Sequence, residues 1–330
     1  MLKDKTILVT GGTGSFGHSF TKYILEHEQP GKIIIYSRDE YKQYLMSQEA
    51  VYREHASKVR FFIGDVRDEA RLERAMEGVD YCIHAAALKQ VPACEYNPTE
   101  AIRTNVEGAE HVINASLNSD VKRVVALSTD KAVNPVNLYG ATKMVSDKLF
   151  IAANSYAGKK DINFSIVRYG NVAGSRGSII PLFKELLEKG ETELPITDYR
   201  MTRFWISLPE GVALVMRALQ YAKGGETFIS KIPSFNVKDL AEAIRAGVST
   251  KEVGIRPGEK LHEVMITAED APFTREYDNH FVIYPQLTFR ASQVIDESGR
   301  PVPDGFVYSS ETNTQWMSVE DIRKRLPEAV

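Results

Sequence analysis

The sequence predicts an α/β protein, with a doubly wound parallel sheet in residues 1–170 and a smaller mixed α/β lobe in residues 171–330. Three observations carry that expectation. The short apolar run at 6–10 leads directly into a turn with glycine at 11, 12, 14 and 17. Strand-like apolar runs then alternate with amphipathic stretches of helical period, at a spacing that suits right-handed crossovers between parallel strands. After Asn171 that rhythm breaks, and helical stretches are separated only by short strand-like pieces.

Each element follows from its local pattern. Thr6-Ile-Leu-Val-Thr10 reads as a strand buried on both faces, because a parallel strand covered by helices has no polar face to alternate. The glycines allow a tight turn, and a helix is expected from there through Glu28. Further strands are expected at 32–36, 60–64, 81–85, 123–127 and 164–168, with helices at 39–54, 69–77, 99–118 and 138–155. In the second lobe, helices at 181–189, 208–222, 237–245 and 259–265 are expected to alternate with strands at 204–207 and 226–229. The polar tail beyond Thr274 carries short β-like pieces to which no function attaches. Ligands of open α/β sheets bind outside the carboxyl ends of the strands, so the expected site is a cleft between the lobes.

Composition excludes several classes of function. With 330 residues, 43% hydrophobic and 26% charged, the chain has core enough for one large domain and a lobe of a soluble protein. The net charge is −3 and no block of like charges stands out, which disfavours nucleic acid or an anionic membrane as partner. No apolar run approaches the ~20 residues of a membrane span and no signal peptide is visible, so a cytoplasmic protein is expected. Cys82 and Cys94 lack metal-ligand spacing and read as buried free thiols in a reducing compartment, with no metal expected.

The glycine turn follows a strand and opens a helix, the setting in which backbone amides cradle a pyrophosphate. Gly11, Thr13, Gly14, Ser15, Phe16 and Gly17 are therefore assigned to a dinucleotide, and the sheet is expected to be Rossmann-type. The end of the second strand separates NAD from NADP. An acidic residue there binds the ribose 2′-hydroxyl, whereas arginine suits a 2′-phosphate. Ser37 and Arg38 occupy that place, with Lys42 one turn on; Asp39 leaves NAD open, and NADP is favoured. Asp65 and Val66 are expected to flank the adenine. Ala85, Ala86 and Ala87 form a small-residue loop along which a cofactor can lie, and Val172 is assigned to the same site.

The chemistry is concentrated in Ser128-Thr129-Asp130-Lys131 and Tyr139-x-x-x-Lys143. Residues four apart share a helix face, so the Lys143 ammonium is expected to lower the Tyr139 phenol's pKa and make it a base toward an alcohol. Thr129 is placed to hydrogen-bond the same oxygen. Helices carry such a Tyr/Lys pair by chance, so the pair counts only with its surroundings. Asp130 and Lys131 add a second acid/base pair that simple alcohol oxidation does not need. For Lys131 to serve as a base, burial and Lys143 would have to pull its pKa well below the ordinary value.

The glycine turn, Ala85-Ala-Ala-Leu-Lys89, Ser128–Lys131, Tyr139–Lys143, Arg168-Tyr-Gly-Asn171 and Arg256-Pro-Gly-Glu-Lys260 together resemble the extended short-chain dehydrogenase/reductase family of nucleotide-sugar enzymes. Within it, Thr129-Asp130-Lys131 ahead of the Tyr/Lys pair resembles the branch that dehydrates UDP-N-acetylglucosamine with inversion at C5, where retaining members carry Asp-Glu. The resemblance spans nearly the whole chain. It implies transient hydride storage on NADP, Tyr139 as the C4-hydroxyl base tuned by Lys143, and Asp130 and Lys131 acting in the elimination and at C5. It also implies the first step of pseudaminic acid biosynthesis, a link to flagellin or surface-polysaccharide glycosylation, and a higher homo-oligomer such as a hexamer. Arg203 and Arg256 are the diphosphate candidates, with Glu259 accepting from the uridine ribose. Lys89, Asn171, Ser178, Ile179, Ile180 and Pro181 are expected to line the sugar and nucleotide path, and Phe204 and Trp205 to be core. The alternatives are a nucleotide-sugar 4-epimerase, which needs no second acid/base pair, and a cofactor-sensing binding protein, which would have no use for Tyr139 and Lys143.

Overall fold

The computed structural model describes residues 1–174, 178–287 and 295–329. The first half alternates as expected: β1 (Thr6–Thr10), α1 (Ser15–His27), β2 (Lys32–Ser37), α2 (Glu40–Ser47), α3 (Ala50–Glu54), β3 (Val59–Ile63), α4 (Glu69–Met76) and β4 (Tyr81–His84). There follow α5 (Val91–Tyr96), α6 (Pro98–Ile102), α7 (Gly108–Leu117), β5 (Arg123–Thr129), α8 (Leu138–Tyr156) and β6 (Asn163–Tyr169). The second half holds α9 (Ile179–Glu188), β7 (Glu193–Ile196), β8 (Thr202–Phe204), α10 (Leu208–Tyr221), β9 (Thr227–Ser230), β10 (Ser234–Asn236), α11 (Val237–Ile244) and β11 (Ser249–Glu252). It ends with β12 (Val264–Ile266), β13 (Thr274–Glu276), β14 (His280–Ile283), β15 (Arg300–Pro301), β16 (Tyr308–Ser309) and α12 (Val319–Arg325).

Among the described residues the central sheet has ten strands, in the order β15-β13-β14-β9-β6-β5-β4-β1-β2-β3. From β3 to β9 the pairings are parallel, and β14, β13 and β15 extend the sheet antiparallel. The order reverses between β1 and β4, the switch point where a doubly wound sheet opens a crevice. Neighbouring strand residues point to opposite faces, and here both faces are covered. Ile7, Val9, Ile33 and Ile35 pack with Phe20 and Ile24 of α1 and Val212, Val215 and Leu219 of α10. Leu8, Ile34, Cys82 and Val124 pack on the other face with Leu72 of α4, Val112 of α7 and Phe150 of α8. Each such side chain contributes about 2 kcal/mol by leaving water. A separate core of Phe183, Leu194, Ile196, Trp205, Phe235, Leu240 and Ile322 builds the smaller lobe, with Phe204 buried beside it in the larger cluster. Cys82 and Cys94 are buried free thiols.

Several expectations need correction. The sheet crosses the boundary expected at residue 170, because β9, β13, β14 and β15 come from the later half of the chain. The short β-like pieces expected in the tail beyond Thr274 are present, and β13, β14 and β15 extend the edge of the sheet. The helix expected at 39–54 breaks at Gln48-Glu49, and the one expected at 99–118 passes through a π-helical turn, Arg103–Glu107. No helix forms at 259–265: the carbonyls of Lys260 and Leu261 accept from the Arg203 guanidinium instead of from amides a turn ahead, and β12 begins at Val264. The strand expected to end at 127 runs on to Thr129, with Ser128 opposite Arg168 and Thr129 opposite Tyr169. That extension carries the chemistry-bearing residues to the strand's carboxyl end.

Asn154, fully buried on α8, ties the helix to the sheet. Its Oδ1 accepts from Phe164 N at 3.0 Å and its Nδ2 donates to Phe164 O at 3.0 Å. Asn154→Ala leaves the Phe164 amide unpaired away from water, while the Phe164 carbonyl keeps its bond from Gly225 N, and is expected to cost about 2 kcal/mol in urea unfolding; a midpoint unchanged from the parent would show that water replaces the amide.

Candidate active site

One continuous cavity of about 960 Å³ runs from the ends of β1 and β2 past β5 into the smaller lobe. It lies at the large end of the range for ligand sites (~300–1,000 Å³). Of the residues assigned from sequence to a cofactor or a substrate, all line it except Pro181, where α9 presents Ile179, Ile180, Leu182 and Phe183 instead. Thr129, Lys131, Tyr139 and Lys143 line it too. Asp130 does not: it is fully buried behind them.

The glycine turn is shaped by close approach. Gly11 has φ +64°, and a Cβ on it would stand 2.8 Å from Ala86 N; one on Gly17 would stand 2.6 Å from Gly12 Cα. Gly14 precedes helix α1 and offers no side-chain cap, so the helix's first-turn amides keep their capacity for an anion. These observations fit a dinucleotide pyrophosphate. At the end of β2, Ser37 Oγ bonds Thr13 Oγ1 at 2.8 Å. Asp39 is spent on capping α2, accepting from Lys42 N at 2.9 Å and pairing with Lys42 Nζ at 2.7 Å. Asp65 is gripped by Arg67 at 2.7 and 3.0 Å. Arg38 stays half exposed at the cavity mouth, 3.5 Å from Asp65.

The reactive residues sit where β5 gives way to a 3₁₀ turn, Asp130–Ala132, and α8 begins. Asn137 caps α8 by accepting from Gly140 N at 2.8 Å, and its amide donates to Gly258 O, tying the helix start to the other lobe. Thr129 Oγ1 donates to Asp130 Oδ1 at 3.0 Å. Lys131 Nζ lies 3.1 Å from Asp130 Oδ1 and 3.4 Å from Glu263 Oε1. Glu263 is 2% exposed and also faces Arg203 Nε at 3.7 Å and Lys260 Nζ at 4.0 Å.

Electrostatics decide the charge on Lys131, which spacing left open, and overturn one expectation, the cation that tunes Tyr139. Burial alone would lower the Lys131 ammonium's pKa, but the Asp130 and Glu263 carboxyl groups outweigh it and push it up. Lys131 is therefore held as a cation, not released as a free base. Burial pushes the Tyr139 phenol up to about 12, with Lys131 and then Thr129 pulling it back. The cation that tempers the phenol is thus Lys131 and not Lys143, whose own pKa burial lowers while Asp147 supports it. Burial and then Glu263 push Asp130 up, toward the neutral acid. Glu263 is pulled down despite burial, by Lys131, Arg203 and Lys260.

Arg203 is less available than its motif suggests. It donates to the carbonyls of Thr202, Leu261 and Lys260, so it braces the loop ahead of β12. Arg256 is largely exposed and pairs with Glu259 at 3.1 Å. Three functional positions were missed in the sequence. Asp147, one turn beyond Lys143, accepts from Ser128 Oγ at 2.6 Å and pairs with Arg168; the helical spacing was a readable signal. Asn105, in the π-helical turn, accepts from Leu88 N and donates to Leu88 O, both at 2.8 Å, and donates to Thr142 Oγ1, which locks the small-residue loop to α8. Glu263 had no local signal.

Known proteins resemble this chain over most of its length. The family described as "Polysaccharide biosynthesis protein" matches residues 7–285. A Campylobacter jejuni protein named UDP-N-acetylglucosamine 4,6-dehydratase (inverting) is 53% identical over 98% of this chain and 97% of its own. A Rickettsia akari protein named UDP-glucose 4-epimerase is 39% identical over 99% of this chain and 96% of its own. The X-ray structure of Pen from Bacillus thuringiensis superposes with a TM-score of 0.90 at 36% identity, covering 99% of this chain and 98% of that one.

The start of α8 rests on the reactive turn: a Cβ at Gly140 would stand 2.1 Å from Lys131 O. Gly140→Ala is therefore expected to displace the 130–132 turn and lower catalytic turnover at least about tenfold, with the fold kept by circular dichroism. Parental turnover would mean that the turn absorbs the methyl group without losing its geometry.

Proposed function

The chain belongs to the polysaccharide biosynthesis protein family of extended short-chain dehydrogenases/reductases, and we propose that it is a hydro-lyase, the C5-inverting 4,6-dehydratase of UDP-N-acetylglucosamine. The observation that carries this reading is the second acid/base assembly: Lys131 held between Asp130 and Glu263, beside Tyr139. Bound NADP would supply a hydride acceptor and, within the same turnover, the donor of that hydride. The glycine turn and the start of α1 would hold its pyrophosphate, Arg38 its 2′-phosphate, and Lys143 its nicotinamide ribose.

Tyr139 takes the C4-hydroxyl proton while Thr129 hydrogen-bonds the same oxygen, giving the 4-ketone. The ketone acidifies C5. The Asp130–Lys131 pair then delivers a proton to the departing C6 oxygen, which leaves as water, and receives the C5 proton, so that the C5–H and C6–O bonds break as the alkene forms. With C6 reduced, the pair reprotonates C5 from the opposite face, yielding the L-arabino 4-keto-6-deoxy sugar. Two protons leave the sugar, from the C4 oxygen to Tyr139 and from C5 to the pair, and the pair gives two back, to water and C5; the proton held by Tyr139 then passes through the Thr129 hydroxyl to Asp130, which restores both. Asp130 is shielded from the cavity, so it acts through the Thr129 hydroxyl and the Lys131 ammonium that face it. Arg256 and Glu259 serve the UDP moiety, and Asn171 and Ser178, whose Oδ1 and Oγ are buried without partners, await the sugar nucleotide.

The same reading makes the product the first intermediate of pseudaminic acid biosynthesis, formed in the cytoplasm by a homo-oligomer. The second reading is 4-epimerisation, favoured by the name of the Rickettsia relative. It uses Tyr139 and Lys143 but gives Asp130, Lys131 and Glu263 nothing to do.

Incubation with UDP-N-acetylglucosamine in D₂O without added reductant is expected to give a 4-keto-6-deoxy product with deuterium at an inverted C5; UDP-N-acetylgalactosamine instead would establish the epimerase. Asp130→Asn and Lys131→Ala should each slow water loss at least about a hundredfold while leaving substrate and nucleotide binding within a few-fold. Normal turnover in both would remove their assignment. Because Asp39 is occupied as a cap, Arg38→Ala should weaken NADP at least about tenfold and leave NAD nearly unchanged. Equal weakening of the two in calorimetry would dismiss the 2′-phosphate contact.

A further inference from the structure

Glu263 belongs to none of the motifs the reaction invokes, yet it is buried on the cavity wall. It enters from the loop ahead of β12, whereas Lys131 enters from the turn after β5. Between them stands one ammonium shared by two carboxyl groups, 3.1 Å from Asp130 and 3.4 Å from Glu263. The other charged or titratable groups facing this trio are Arg203 from β8, Lys260 from Glu263's own loop and Tyr139 from α8. Among the described residues, three cations therefore surround Glu263, and Lys131 alone pairs with Asp130.

Two carboxyl groups that share an ammonium away from water do not both keep a full charge, and the proton settles on the one with fewer cations. Asp130 Oδ2 and Glu263 Oε2 are both buried without a hydrogen-bond partner, but the Lys260 ammonium stands 4.0 Å from Glu263 Oε2, so the place left for that proton is Asp130 Oδ2. Backbone bonds hold Glu263 where it is: its amide donates to Ser310 Oγ at 2.9 Å and its carbonyl accepts from Ser310 N at 2.8 Å.

We propose that Glu263 is a positioning residue for the dehydration step: its carboxylate anchors the Lys131 ammonium at the cavity wall and leaves Asp130 to carry the exchangeable proton. The kinetic consequence rests on the dehydratase reading, while the geometric one does not. In the step itself the Asp130–Lys131 pair gives one proton to the C6 oxygen and gains one from C5, and Glu263 ends as it began.

The test uses the full chain carrying E263Q or E263D. With UDP-N-acetylglucosamine, E263Q should still reduce the bound nicotinamide in a single turnover but lose water about a hundredfold more slowly, with KM within about threefold of the parent. E263D should recover part of that rate. Independently, in protein labelled with [ε-¹³C]lysine, the Lys131 resonance (identified by its loss in Lys131→Arg) should titrate at lower pH in E263Q than in the parent. An unmoved Lys131 titration overturns the proposal. Water loss within about twofold of the parent does so as well, and so does an equal loss of nicotinamide reduction and water loss, which marks general damage. If the parent dehydrates nothing while the Lys131 resonance still moves, the positioning role stands and the substrate assignment falls.

Discussion

Five ionisable side chains (Asp130, Lys131, Arg203, Lys260 and Glu263) are gathered largely out of water where the two lobes meet, and the site is arranged around the cost of keeping them there. Removing an ion from water costs several kcal/mol, which only close partners and further hydrogen bonds repay. The structure supplies both. Arg203 spends its donors on three backbone carbonyls, Lys260 donates to the carbonyl of Val133, and Asn137 reaches across to Gly258. These bonds set the shape of the loop ahead of β12, so the charge cluster and the cavity wall are one piece of construction. A hydrophobic replacement could be as stable, but it could not move protons.

The division of labour along the cavity follows from the sheet. At the switch point between β1 and β4 the chain offers backbone amides and small side chains, which suit a pyrophosphate and require close approach. One strand over, the end of β5 and the start of α8 offer titratable groups on rigid elements, with Asp147 and Asn105 bracing them from behind. The second lobe adds its own walls and, in Glu263, a charge. Binding at one end and proton transfer at the other are thereby fixed by the same strands.

What was legible in the sequence was what local pattern determines. The parallel strands were readable because apolar runs buried on both faces do not alternate, and the glycine turn because its spacing has a steric cause. Tyr139 and Lys143 were readable from helical period. Placement that depends on distant chain was not. The expected helix at 259–265 failed because Arg203, far away in sequence, claims its carbonyls. Glu263 was silent for the same reason: its meaning is Lys131, which only the fold brings near. The charge state of Lys131 was not readable, because spacing shows a neighbouring cation, Lys143, but not the two carboxyl groups that outweigh burial. Pro181 lies in a correctly placed helix, and only the helix's rotation removes it from the wall.

The strand order has a consequence for how the chain is made. β6 lies in the middle of the finished sheet, yet its partner on one side, β9, is translated only after α9, β7, β8 and α10. Until residues 227–230 emerge from the ribosome, the nascent sheet ends at β6, a seven-residue strand whose edge has no Pro or bulge to blunt it. During synthesis that edge invites pairing with a second nascent copy, so the order in which the chain appears places its greatest exposure to misassembly late, when most of the nucleotide half is already folded.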